Sequence, residues 1–297
     1  MPAPPTLDEL IETSLRLQDR TKELYRDCVA EFVAFAGGDP STYSSAVVER
    51  WLFSLLKDRK PQTVNVYRKA IRYASRRWKK QDSEHVDFAA DVDKVKAQPA
   101  EPRVPLTYDE AAKLLATCDG DELVAVRDRA LIILALRSGL RRGGLRALEF
   151  SGIKPPKITT TNKGGAPITF EADAETLGAL EEWRKRLVAL GVTSGPVFRA
   201  VRGKKIRGTM SAFQIWRVFD TRAKQAEIRH VFPHLARHST VTWLREEGKS
   251  SAEVGKLTGQ TERTIENIYT HVRTRGAIGN ALPSLFGKKP SSKKQNR

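Results

Sequence analysis

The stretch His234-Leu235-Ala236-Arg237-His238-Ser239, with Tyr269-Thr270-His271 further along, decides how this chain is read. Two shorter patterns precede them: Ser138-Gly139-Leu140-Arg141, then Lys163-Gly164-Gly165. Taken singly, each has a commonplace reading. Arg141 is a charged residue opening a helix, Lys163 a solvated turn lysine, and His234 and His238 are core histidines. Tyr269 is an amphipathic core residue whose hydroxyl reaches the surface, and His271 a solvated or packing group. Their joint order, HLARHS before YTH above all, raises them together above these readings.

Around these patterns lies a strongly basic chain. The 297 residues carry a formal charge of +17, a field that attracts polyanions, so nucleic acid is the expected partner. With 40% hydrophobic and 29% charged residues a packed fold is expected, and the length suits two domains. No apolar run approaches a membrane-spanning length, and the first residues, MPAPPTLDEL, lack the regions of a signal peptide. The expected location is therefore cytoplasmic and DNA-associated, with no membrane partner. Cys28 and Cys118 are too few and too far apart for a metal site or a disulfide framework and are expected to be buried thiols. None of the five histidines has zinc-motif spacing, so neither metal nor cofactor is expected.

Residues 1–98 read as helical, with Leu24, Cys28 and Phe32 on one apolar face and Val47, Trp51 and Leu55 on another. Between residues 63 and 80, Val64, Tyr67, Ile71, Ala74 and Trp78 mark an inner stripe. Arg68, Arg72, Arg76 and Lys80 recur at i+4 spacing on a different face, without acidic partners along the row. That row is expected to contact DNA phosphates rather than only solvent. Residues 99–106 fall in a proline-rich run, KAQPAEPRVP, expected to be an extended interdomain linker. Thr107-Tyr108-Asp109-Glu110 has the form of a capping box that starts a second domain, residues 107–286. A long helical pattern, LVAVRDRALIILALRSGL, ends near Gly139; KITTTNKGGAPITF then reads as a β-hairpin turning near residues 162–165, after which helices are expected up to the tail. Residues 287–297, with five basic and no apolar residues, are expected to be disordered.

Together the four patterns resemble the tyrosine recombinase, or phage integrase, family, with a two-domain layout like that of its Xer and Cre members. The resemblance implies a mainly α fold with a small β-hairpin or sheet. A helical, SAM-like core-binding domain would be joined to an α+β catalytic domain, the two forming a clamp around DNA. It implies site-specific recombination, in which a tyrosine hydroxyl attacks a phosphodiester to leave a 3′-phosphotyrosyl link and a free 5′-hydroxyl. On the matching positions Tyr269 is the nucleophile, Arg141 and Arg237 grip non-bridging phosphate oxygens, Lys163 protonates the leaving oxygen, and His234 moves a proton or contacts phosphate. The implied partners are duplex recombination sites and a homotetrameric synaptic complex, with accessory DNA-bending or directionality factors compatible with it. The biological setting would be integration or excision of a mobile element, or resolution of DNA multimers.

Two positions depart from the family pattern. Gly144 stands where an acidic residue usually follows the first arginine, and Gln260 where histidine or tryptophan usually precedes the tyrosine. Gln260 can donate a hydrogen bond but cannot act as acid or base. Two other readings compete: a DNA-relaxing enzyme of the type IB topoisomerase kind, and a catalytically weakened DNA-binding protein of the same fold. The apolar positions Val272, Ile278, Leu282 and Leu285 suggest that residues 274–286 are exchanged between protomers.

Overall fold

The computed structural model describes residues 5–82, 84–98, 103–161 and 165–273, the side chains of 268–273 excepted. The chain divides into two compact units, Met1–Ala100 and Glu101–Arg297. The 274–286 segment and the basic tail lie outside the described residues.

The regular elements among the first unit's described residues are all helical: α1 (Leu7–Glu12), α2 (Asp19–Ala36), a 3-10 turn (Pro40–Thr42), α3 (Ser45–Leu55) and α4 (Pro61–Lys79). Thr6 opens α1 through a capping box with Glu9, and Ser44 caps α3. Pro61 opens α4 in the first turn, where its missing N–H is no loss. The core centres on Phe32, whose ring lies 4.9 Å from Tyr43, 5.1 Å from Trp51 and 6.3 Å from Phe88. Val64, Ile71, Ala74 and Trp78 form the buried stripe of α4, as the spacing predicts. The α2 face differs from expectation. Cys28, Val29 and Phe32 are buried while Leu24 is exposed, because the contact centres on Val29 rather than on the row through Leu24. After α4 the chain returns along it: Asn65 exchanges two hydrogen bonds with the Val95 backbone at 2.9 and 3.0 Å, and Ser75 Oγ bonds Asp87 at 2.5 Å.

In the second unit α5 (Tyr108–Ala116) starts with the capping box of Thr107 and Glu110. Helix α6 (Leu123–Ser138) is buried on nearly every side, so it forms the centre of the unit, against which α8 (Ala174–Ala189) and α10 (Pro233–Glu246) pack. Buried within it, Asp128 binds Arg127 at 2.6 and 2.9 Å and Arg222 at 2.9 Å, so two cations that are nearly solvent-free share one carboxylate. The short α7 (Arg142–Ala147) leads to an antiparallel sheet of β1 (Ile153–Lys154), β2 (Lys157–Thr161) and β3 (Pro167–Glu171). Ile158 pairs with Phe170 and Thr160 with Ile168, and these four are the buried positions of the expected hairpin.

Contrary to the sequence expectation of helices from there to the tail, a second hairpin follows α8. Its strands β4 (Arg199–Arg202) and β5 (Lys205–Thr209) turn at Gly203, whose φ is +60°. Neither strand buries a face, so no period-two apolar signal marks them; Val201 and Ile206 pack against the core only partly buried, and the fully buried positions are the flanking Phe198 and Met210. Helices α9 (Ala212–Gln225), α11 (Ser251–Thr258) and α12 (Glu262–Arg273) complete the unit, with Val241, Val254 and Ile265 joining α10, α11 and α12. Both cysteines are buried. No helix among the described residues is long and apolar enough to cross a membrane.

Candidate active site

Three chain turns converge where α6 ends, α10 begins and α11 ends. Gly139 closes α6 in the left-handed conformation, and a Cβ there would come within 3.1 Å of Thr258 and 3.3 Å of Thr240. Both the backbone and the neighbours therefore require glycine. Two residues later Arg141 stands at the start of α7, and its Nη1 donates to the Gly259 carbonyl at 3.0 Å. Gly259 is the left-handed cap of α11, and Gln260 follows it, accepting from Thr258 Oγ1 at 3.1 Å. On α10, Pro233 opens the helix, His234 lies exposed in its first turn, and Arg237 points inward with 1% of its surface exposed.

Arg237 is the most constrained of these groups. Its Nη1 donates to the Gly139 carbonyl, while Nε and Nη2 are buried with no hydrogen-bond partner among the described residues. Burial, and after it the charge of Arg141, push the guanidinium down to about 9. A buried cation with two unmatched donors facing a second arginine is an unfinished arrangement that an anion would complete. The imidazole of His234 is also held below its ordinary value, first by desolvation and then by the charges of Arg103, Arg237 and Arg141. It is therefore neutral at neutral pH and open to accept a proton or donate a hydrogen bond.

A cleft of about 600 Å³ opens beside Arg141, lined also by Pro167, Ile168 and Thr169 of β3, by Gly259 and by Lys256. The strands β2 and β3 flank residues 162–164, which include Lys163 and lie outside the described residues. Tyr269 stands in α12, one helical turn beyond the buried Ile265, and its side chain likewise lies outside the described residues, as does that of His271. Among the described residues no side chain substitutes for the carboxylate missing at Gly144. Its carbonyl accepts from Thr160 Oγ1 at 2.8 Å, and Arg141 takes a backbone oxygen from Gly259 instead. Sequence reasoning missed Lys256, which precedes Gln260 by one helical turn, and Arg103, hidden in the proline-rich run. Among the described residues no cluster of histidine, cysteine and carboxylate could hold a metal ion.

The basic row of the first unit is divided. Arg68 donates from Nε and Nη2 to the Val92 carbonyl at 2.8 and 2.5 Å, Arg72 Nη1 lies 3.4 Å from the same oxygen, and both are half-buried. Burial, then Arg72, lower the basicity of Arg68. Arg76 and Lys80 are exposed and line a hollow of about 570 Å³ with Arg16, Arg77 and Tyr73.

A mainly helical unit with small antiparallel sheets, holding two arginines and a histidine around an anion-seeking centre, defines the class of fold and site. Residues 105–275 match the phage integrase family, and the chain belongs to that family. Tyrosine recombinase XerC of Pseudomonas aeruginosa strain PAO1 is 32% identical over 173 residues, covering 56% of this chain and 54% of that relative. XerC of Xylella fastidiosa strain M23 is 31% identical over 189 residues, 63% and 62% respectively. The chain matches between half and two thirds of the length of these curated relatives. Among solved structures, a lambda integrase dimer bound to a COC′ core site superposes with a TM-score of 0.70 at 16% identity, covering 93% of this chain and 96% of that one. XerH bound to a palindromic difH substrate, a post-cleavage complex, gives 0.70 at 18%, with 86% and 76% covered. The Tn1549 transposon integrase with transposon right-end DNA gives 0.67 at 17%, with 91% and 98% covered. At these identities the likeness is one of fold, the mainly α fold with small sheets expected from the sequence.

Proposed function

We propose that this chain is a site-specific DNA recombinase that cleaves and rejoins strands through a 3′-phosphotyrosyl intermediate. The observation that carries the reading is Arg237, a guanidinium sunk in an apolar core with two unmatched donors beside Arg141 and a neutral His234. A phosphodiester supplies the anion that such a pair lacks, and its non-bridging oxygens match the forked donors.

In this mechanism the Tyr269 hydroxyl oxygen attacks phosphorus while its proton passes to His234, which is neutral and able to receive it. A bond from tyrosine to phosphorus forms as the bond to the 5′-oxygen breaks, and Lys163 gives that oxygen a proton. Arg141 and Arg237 hold the charge that builds on the non-bridging oxygens, and Gln260 adds an amide hydrogen bond. Rejoining reverses these steps with the 5′-hydroxyl of another strand, so one phosphoester replaces another and no ATP is consumed. The Gly259 carbonyl that holds Arg141 compensates for the missing carboxylate at Gly144, which favours an active site over a binding-only protein.

The solved relatives named above were captured on DNA, and a lambda integrase tetramer on a Holliday junction. We carry duplex recombination sites and a tetrameric synapse from them to this chain, and read residues 1–98 as the core-binding domain and 107–286 as the catalytic domain. Integration or excision of a mobile element, or resolution of multimers, is the biological setting. The test is a nicked suicide substrate built from repeats flanking the gene. Wild-type protein becomes covalently trapped, in EDTA as well as without it, and Tyr269→Phe binds equally but forms no adduct. An adduct from Tyr269→Phe, or none from wild type that binds its site tightly, overturns the proposal.

A further inference from the structure

We infer that Arg103 is a third cationic contact to the DNA backbone, on the His234 side of the Arg141 and Arg237 pair; the inference rests on the recombinase reading above. The proline-rich run predicts a spacer, yet its last residues, 103–106, are fastened to α10 and to the segment before it. Arg229, itself paired with Glu110 at 2.7 Å, donates to the carbonyls of Val104 at 2.9 Å and Pro105 at 2.6 Å. The Leu106 N–H donates to Ser239 Oγ at 2.8 Å, its carbonyl accepts from the Trp243 indole at 3.1 Å, and its side chain is 1% exposed. Residue 103 is thereby held at a fixed place next to the start of α10.

There the Arg103 guanidinium lies 5.6 Å from the centre of the Phe232 ring, and Phe232 immediately precedes Pro233 and His234. An arginine over an aromatic face keeps its N–H groups free around its edge, the arrangement that grips a phosphate while the ring fixes the plane. Arg103 is exposed and makes no ion pair among the described residues, although other arginines of the unit, such as Arg129, Arg184 and Arg186, find carboxylates. Its field acts on the same imidazole as those of Arg237 and Arg141, and acts there more strongly than either. Three guanidinium groups thus place positive field on one imidazole, and a polyanion neutralises that field.

The experiment measures binding of the full chain to its site, with single neutral methylphosphonates placed in turn at each phosphate flanking the cleavage point. Wild type loses about tenfold in affinity at a position beyond the scissile phosphate. Arg103→Ala binds about tenfold more weakly, shows a salt slope smaller by about one, and no longer senses the methylphosphonate at that position. Arg103→Lys recovers the slope but only part of the affinity. Because Arg103 is exposed and donates no hydrogen bond among the described residues, all three proteins should melt alike; if Arg103→Ala does not, Arg103→Gln, which keeps a longer stem over Phe232, replaces it. An unchanged salt slope with every methylphosphonate sensitivity retained overturns the inference. The readout is binding, so a protein that binds but forms no adduct defeats the recombinase reading while leaving the Arg103 contact to stand or fall on its own data.

Discussion

Replacing Arg237 by methionine should stabilise the second unit while disabling it. Arg237 is 1% exposed and its guanidinium is pushed down to about 9, more than three powers of ten from a free arginine. At about 1.4 kcal/mol for each power, the fold carries on the order of 4 kcal/mol of unfavourable charge burial at neutral pH. The substitution also strips the Gly139 carbonyl of its donor, which costs about 1–3 kcal/mol. The balance favours methionine by roughly 1–3 kcal/mol, consistent with buried ionic groups giving way to apolar side chains of similar volume. For a unit of this size that is a rise in Tm of about 2–10 °C. The sign with pH follows from the depressed value: the folded state releases the proton first, so wild type gains stability as pH rises through about 9 and the gap to the variant closes. Calorimetry in sulfate-free buffer at pH 7 and at pH 9.5 measures both effects. Sulfate should then raise the Tm of wild type more than that of the variant, since only wild type offers the unmatched donors. Adduct formation on the suicide substrate should fall about 100-fold or more. A variant that melts below wild type at pH 7 would refute the charge-burial reasoning.

Asp128→Ala leaves Arg127 and Arg222 buried without their shared carboxylate and should cost about 3–5 kcal/mol in urea unfolding; a loss under about 1 kcal/mol would mean that water reaches both. Arg76→Ala with Lys80→Ala should lower the salt slope of DNA binding by about two at unchanged Tm. Arg68→Ala should instead destabilise the first unit by about 1–2 kcal/mol, because the Val92 carbonyl loses its main donor; a salt effect confined to Arg68→Ala would reverse the assignment. His234 is held below the ordinary imidazole value of about 6.5, so single-turnover cleavage should keep its neutral rate down to pH 6.5 and decline only in more acid buffer. His234→Gln should be slower and lack that decline, and an acid limb at or above pH 6.5 in wild type would contradict the depressed basicity.

Features encoded by neighbours along the chain are legible in the sequence itself. The Thr107 and Glu110 capping box, the end of α6 at Gly139 and the pairing of β2 with β3 all rest on local backbone chemistry or on an alternation that buries one face. The hairpin of β4 and β5 is not legible, because strands that bury no face leave no alternating apolar trace. Arg68 reads as one of four equivalent cations, and only the return of residues 87–95 along α4 gives it a carbonyl to bind. The candidate site divides the same way. Arg141, His234 and Arg237 can be picked out by motif, but the orphan donors of Arg237 and the contact between Arg141 and Gly259 depend on three segments meeting. Arg103 is masked by composition: prolines announce an extended chain, and an extended chain can still be fastened residue by residue to a helix.

The two site arginines rest on main-chain oxygens, Arg237 on Gly139 and Arg141 on Gly259. A carboxylate support can be lost by a single codon change, whereas a carbonyl support remains whatever side chain its residue carries, provided that the turn keeps its shape. Both supporting turns are left-handed, with φ of +60° and +65°, and glycine satisfies both. Integrity of the site therefore concentrates on two residues with no functional group of their own, Gly139 and Gly259. Substituting either glycine should therefore unseat the arginine that its carbonyl holds.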